Sequence, residues 1–366
     1  MRILIFNWKD VRHPQAGGAE YVTHEFAKEL VRRNHEVIIF TSKSPVLKNI
    51  ETIDGVTMIR YGNLYTVHLH ACLYYFRHLK NWPDVVIDQF HGIPFFTPLY
   101  IKKCKLAYIH EVAGEIWHTN FKFPLNQIGY IFEKFQFQIY KNIYFLTHSS
   151  STKKELITYN VAAEKITVIS PTVAMLKSKT LSKNKNPTLI YLGRLAPIKR
   201  IELLLTATSQ LEKIIAHLSV WIVGSGNKDY IQKLIDQVNS SRLGKTIKFF
   251  NSVSEIKKYE LLQKAWINIH PSIKEGYGLT VVEAARMGTP TIAFYVGGLR
   301  DIIQHRKTGV LVKPESSVAM SAAIKELIEH PNQRIRMGQR AYRWSQSQPS
   351  WTVQTRKLET LLRSLA

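Results

Sequence analysis

Short apolar runs alternate with amphipathic helical patterns along this chain, and the alternation begins twice, on either side of one polar, lysine-rich stretch. Strands buried on both faces need helices laid over a parallel sheet, so the fold class is α/β. The opening unit runs from a strand at Arg2 to Phe6 through a long loop, Asn7 to Gly18, into a helix at Ala19 to Arg33 and a strand at Glu36 to Thr41. That helix sets Val22, Phe26, Leu30 and Val31 at core spacing and leaves Glu20, Lys28, Arg32 and Arg33 for solvent. Apolar runs at Asp84 to Asp88, Leu106 to Ile109 and Ile143 to Leu146 read as further parallel strands, and Thr152-Lys-Lys-Glu155 reads as the capping box of a following helix.

The stretch Leu176 to Pro187 is the predicted linker. Beyond it, strands at Thr188 to Leu192, Ser219 to Val223, Ile247 to Phe250, Ile267 to His270 and Pro290 to Phe294 alternate with helical patterns, as a second doubly wound domain requires. The tail from Trp351 to Leu365 has helical spacing. The expected division is a domain over 1–175, a linker over 176–187, a domain over 188–349 and a terminal helix over 350–366. A chain of 366 residues suits two such cores.

The formal net charge of +23 points to anionic partners, among them nucleic acid, anionic lipid or phosphorylated substrates. A basic nucleic-acid-binding protein would interleave exposed aromatics with its lysines. Here most aromatics fall in apolar runs, so no nucleic-acid partner is expected. No apolar stretch approaches the roughly 20 residues of a membrane span, and the opening MRILIF ends at once in NWKD, without a signal peptide's core or cleavage site. Cys72 and Cys104 are too few for a disulfide framework, which suits the cytoplasm.

The densest cluster runs from His270 to Pro290, a strand end, a glycine-containing loop and a helix that must start near Leu279. Free N–H groups at such a start bind phosphate, and Gly276 and Gly278 allow a ligand close to the backbone. Glu275 on the loop and Glu283 one turn inside the helix can then accept paired hydrogen bonds from vicinal hydroxyls, suiting a sugar at one end and a ribose at the other. Arg194 and Lys199 follow another strand's carboxyl end, where open α/β sheets hold ligands and where a departing diphosphate needs fixed cations. Gly193 and Gly224 border the same region, with Ser225 as a hydroxyl for ribose or phosphate, and Gly17-Gly18 can bring backbone N–H groups to a diphosphate from the first domain. With no Asp-x-Asp pair after a strand and no His/Cys cluster at ligand spacing, no metal or other cofactor is expected.

These residues together resemble glycosyltransferase family 4, whose signature has two glutamates separated by seven residues, as Glu275 and Glu283 are. The resemblance covers nearly the whole chain through Gly17-Gly18-Ala19-Glu20, Tyr191-Leu-Gly193-Arg194, Lys199, Val223-Gly224-Ser225-Gly226 and Gly297-Gly298 with Gly309. It implies the GT-B fold, two Rossmann-like domains facing a central cleft, and transfer of a sugar from a nucleotide diphosphate donor to an acceptor hydroxyl with retained configuration, in polysaccharide or glycolipid synthesis. A GT-B epimerase or phosphorylase is the neighbouring alternative. From the resemblance, Arg194 and Lys199 contact the diphosphate, Glu283 the ribose, and Glu275 with the Gly276, Tyr277, Gly278 and Leu279 backbone the sugar and its phosphate. His110 resembles the family histidine near the reacting carbon, and Glu115 is a lesser candidate for acceptor contact.

Lysines alternate with Phe, Ile and Tyr from Phe121 to Lys141. This segment reads either as a core helix or as an interfacial one that Lys122, Lys134 and Lys141, with Lys102, Lys103 and Lys105, draw to an anionic membrane, where a lipid-linked or saccharide acceptor would be met. The expected location is the cytoplasm, peripheral to the inner face of its membrane.

Overall fold

The computed structural model describes residues 1–114, 116–120, 122–173 and 182–366. It divides into one unit of Met1–Pro171 with Pro349–Ala366, and a second of Thr172–Gln348. Glu115, Phe121 and residues 176–181 of the predicted linker lie outside the described residues.

In the first unit, β1 (Arg2–Phe6), α1 (Gly18–Arg32) and β2 (Glu36–Thr41) open the chain, followed by β3 (Ile50–Ile53), β4 (Val56–Arg60) and α2 (Val67–Tyr74). Then come β5 (Val85–Phe90), β6 (Cys104–Ile109), α3 (Ile116–Asn120), α4 (Leu125–Ile139), β7 (Tyr144–Thr147), α5 (Ser150–Thr158) and β8 (Ile166–Val168). The sheet order is β3-β4-β2-β1-β5-β6-β7-β8, parallel except for the β3–β4 pair. That hairpin turns at Asp54-Gly55, both at positive φ (51° and 83°), the primed turn that matches strand twist. β5 continues past Asp88 because this buried carboxylate is fully engaged, accepting from the Phe95 and Thr97 N–H groups and from the Thr97 and Tyr140 hydroxyls.

The predicted cap is displaced by one turn. Ser149 caps α5, its hydroxyl accepting from Thr152 N–H at 3.1 Å, and Thr152 lies inside the helix with its own hydroxyl 2.9 Å from Ser149 Oγ. A serine in extended conformation before the first turn needs no residue further along.

In the second unit, β9 (Thr188–Leu192), α6 (Ile201–Leu211), β10 (Ser219–Val223), α7 (Lys228–Ser240), β11 (Ile247–Phe250) and α8 (Glu255–Lys264) form one wing. The other comprises β12 (Ile267–His270), α9 (Leu279–Arg286), β13 (Thr291–Phe294), α10 (Leu299–Ile302), β14 (Gly309–Val312), α11 (Ser317–Glu329) and α12 (Pro331–Gln346). The order β11-β10-β9-β12-β13-β14 is parallel throughout and reverses between β9 and β12. Ligands bind at the carboxyl ends of the strands flanking such a reversal.

Lys183 and Asn184, assigned to the linker from sequence, are bonded into this unit. Lys183 donates to the Met287 carbonyl (3.0 Å) and to Thr289 Oγ1, and the Asn184 carbonyl accepts from Trp266 Nε1 at 2.7 Å. A lysine at a helix's carboxyl end satisfies carbonyls that the helix leaves open. The tail forms α13 (Trp351–Leu365), which packs on α1 of the first unit. There Trp351 meets Phe26 edge to face, and Glu359 pairs with Arg33, His35 and Arg363.

Candidate active site

In the second unit the candidate residues gather at the β9/β12 reversal. β9 ends in Gly193 and an exposed Arg194, which forms no ion pair among the described residues, and a short turn carries Lys199. Lys199 Nζ lies 2.5 Å from Glu275 Oε2, and His270 Nε2 lies 3.5 Å from the same oxygen. Burial pushes the Glu275 carboxyl up, but Lys199, then His270 and Arg194, outweigh it and hold it below its usual value. The buried His270 imidazole falls to about 4, burial outweighing the carboxylate, and its Nδ1 sits 3.0 Å from Ser272 Oγ.

The turn that presents Glu275 is built on glycines. Gly278 stands at φ 99° as N-cap of α9, and a Cβ there would lie 2.8 Å from Leu299, so an L side chain is both strained and crowded. Gly298 N–H donates to the Glu275 carbonyl at 2.8 Å. The Tyr277 ring packs in the core with Val281, Leu299 and Ile302, leaving the backbone of 276–279 to line the turn. As expected, α9 starts at Leu279; the Val281 and Val282 N–H groups turn back to the Gly278 carbonyl, and those of Leu279 and Thr280 precede any intrahelical acceptor.

Glu283, buried in α9, accepts from Lys258 of α8 at 2.8 Å. Burial raises its carboxyl above the ordinary value, with Lys258 opposing. Lys258 also holds Glu255 at 2.7 Å. Nothing in its local sequence marks it, because its partner lies 25 residues on. Gly224 has a reason of its own: a Cβ would come within 1.9 Å of the Gly193 carbonyl, since the loops after β9 and β10 run backbone against backbone. Ser225 beside it is exposed.

In the first unit, Gly17 caps α1, and its N–H already donates to Glu20 Oε2 at 2.7 Å. The expectation that both Gly17 and Gly18 offer free N–H groups therefore holds at most for Gly18, because the capping carboxylate, itself 3.4 Å from Lys9, occupies the first. His110 follows β6. Its Nδ1 lies 3.0 Å from His148 Nε2, which also receives the Tyr108 hydroxyl at 2.8 Å. The loop beyond His110 is tied to α4 by Glu133, whose carboxylate accepts from the Ala113 and Gly114 N–H groups at 2.7 Å each and from Trp117 Nε1 at 3.2 Å. Sequence reasoning missed Glu133, Lys258, Tyr108 and His148.

Two family profiles match the chain: one described as Glycosyltransferase Family 4 over residues 16–175, and one described as Glycosyl transferases group 1 over 174–344. The chain belongs to glycosyltransferase family 4. A glycogen synthase of Mycobacterium tuberculosis is 28% identical over 175 residues, 48% of this chain, and the chain covers 42% of that relative's length. In fold, sucrose-phosphate synthase from Thermosynechococcus elongatus is similar over 100% of this chain and 98% of its own at a TM-score of 0.84 and 21% identity. The Anabaena protein HepE, solved in complex with UDP-glucose, is similar over the full length of both chains at a TM-score of 0.78 and 17% identity. The two α/β units thus have the GT-B fold of family 4, and the nucleic-acid reading of the charge finds no support.

Proposed function

We propose that this family 4 glycosyltransferase moves a sugar from a nucleoside diphosphate sugar to an acceptor hydroxyl, with retention and without a metal, in polysaccharide or glycolipid synthesis in the cytoplasm. The carrying observation is the Lys199–Glu275 pair beside the α9 N-terminus at the sheet's reversal point. A fixed cation, an exposed Arg194 and the first N–H groups of α9 supply the positive field that a leaving diphosphate requires. Glu275 is kept ionised and accepts from sugar hydroxyls, Glu283 accepts from ribose hydroxyls, and His110 is a further contact for a sugar hydroxyl. The UDP-glucose complex of the Anabaena protein supports a donor of this class. Thermal protection by UDP or GDP, unaffected by EDTA, and enzyme-dependent hydrolysis of one nucleotide sugar are the expected results. Absence of both protection and hydrolysis across a donor panel would refute the reading.

The acceptor side is read from α4. Its inner face carries Glu133, Gln136 and Phe137, whereas Leu125, Ile128, Ile131 and Phe135 are 58–65% exposed. Lys122, Lys134 and Lys141 are exposed beside them, and no described helix is long and apolar enough to cross a membrane. An apolar stripe flanked by lysines suits the surface of an anionic bilayer bearing a lipid-linked acceptor, each lysine contributing roughly 1 kcal/mol. Pelleting with anionic vesicles at low salt, lost when these lysines are changed to glutamate, is the expected result. Protein left in the supernatant would sink it.

A further inference from the structure

The histidine cluster of the first unit has one consistent arrangement of protons. The Ile169 carbonyl can only accept, so its 2.9 Å contact makes His148 Nδ1 the protonated nitrogen. Burial holds that ring at about 4, so at neutral pH His148 Nε2 bears a lone pair and no proton. The Tyr108 hydroxyl and His110 Nδ1 share that lone pair, at 2.8 and 3.0 Å. His110 is also kept neutral, first by burial and then by the neighbouring His148 and His91. Its single proton belongs on Nδ1, because a proton on Nε2 would leave two lone pairs facing each other across 3.0 Å. His110 Nε2 is then an acceptor, buried and without a hydrogen-bond partner among the described residues.

We infer that His148 is a positioning residue which, anchored to the Ile169 carbonyl, fixes His110 in the Nδ1–H tautomer and so presents Nε2 as a pure acceptor to a sugar hydroxyl. Two elements set this arrangement. β6 ends at Ile109 and delivers Tyr108 and His110, while β7 ends at Thr147 and delivers His148. A second-row partner that dictates which ring nitrogen faces the ligand is the logic of oriented imidazoles generally. A cationic or Nε2–H His110 would offer the same hydroxyl a donor and lose the preference for a group that donates. The functional part of the inference rests on His110 contacting the sugar, whereas the tautomer does not.

Long-range proton–nitrogen correlation spectra of protein labelled with nitrogen-15 histidine test the tautomer directly, with the His110 signals identified by their loss in His110→Gln. Wild type is expected to show a protonated Nδ1 and an unprotonated Nε2 on His110. His148→Asn keeps an amide donor for Ile169 but withdraws the acceptor, so the His110 proton should move toward Nε2. Transfer should then fall about tenfold, the weight of one hydrogen bond, with nucleoside diphosphate affinity unchanged. His148→Gln, whose amide oxygen can reach His110, should restore the Nδ1–H form. A wild-type His110 in the Nε2–H form overturns the inference by itself, even if no variant folds, and so does an unchanged Nδ1–H tautomer in folded His148→Asn. Normal transfer by His110→Ala would instead overturn the sugar contact and leave the tautomer standing.

Discussion

Replacing Lys199 by Met separates charge from packing at the site. The ammonium lies 2.5 Å from Glu275 Oε2 with both side chains 17–18% exposed, so the variant leaves a largely buried carboxylate facing only His270 and the more distant Arg194. A fully buried pair broken on one side costs about 3–5 kcal/mol; partial exposure and the remaining neighbours reduce this to about 2 kcal/mol. For a unit of this size that lowers the melting midpoint by about 4–8 °C. The sign with pH follows from Glu275. Its carboxyl is held below the usual value of 4.5, so the pair's contribution is fully present above that value and disappears as pH falls through the lowered one. The stability gap between wild type and Lys199→Met should therefore be widest at neutral pH and close in acid, read as urea midpoints across that range. Turnover should drop by about two to three orders of magnitude, the usual effect of removing one preorganised charge. A folded variant with wild-type turnover and a pH-independent stability gap would refute the role given to this pair.

Glu283→Ala is expected to weaken nucleoside diphosphate binding, while Glu275→Ala mainly impairs transfer. Equal loss of nucleotide affinity in both, measured by calorimetry, would contradict that division. Removing Arg194 should leave the fold intact and cut turnover comparably to Lys199→Met, and a near-normal rate for Arg194→Ala excludes it from the leaving-group site. In the first unit, Arg363, then Arg33 and His35, hold the Glu359 carboxyl at about 2. The contribution of the Glu359 carboxylate to holding α13, made to the rest of the unit through Arg33 and His35, is thus complete above the usual carboxylate range and is lost only as pH falls toward 2. Glu359→Gln should expose α13 amides to hydrogen exchange at pH 7, and protection equal to wild type would show that the carboxylate does not hold the helix.

The strands at Arg2–Phe6, Thr188–Leu192 and Ile267–His270 and the start of α9 at Leu279 were legible in the sequence, because a strand buried on both faces must be apolar throughout and a helix start after glycines leaves a local signature. The spacing of Glu275 and Glu283 was legible for the same reason, since both lie within one turn-and-helix segment. Asp88 misled, because a carboxylate ends a strand in most sequences and is tolerated inside this one only where Phe95, Thr97 and Tyr140 satisfy it. What the local pattern lacked were partners brought from afar. Lys258 reaches Glu283 across 25 residues, His148 reaches His110 across 38, and Lys183 reaches Thr289 across 106. The pattern of α4 allowed both a core helix and a surface one. Only the packing of Glu133, Gln136 and Phe137 inward left Leu125, Ile128, Ile131 and Phe135 outside, because the direction in which a helix faces depends on the sheet beneath it and not on its own spacing.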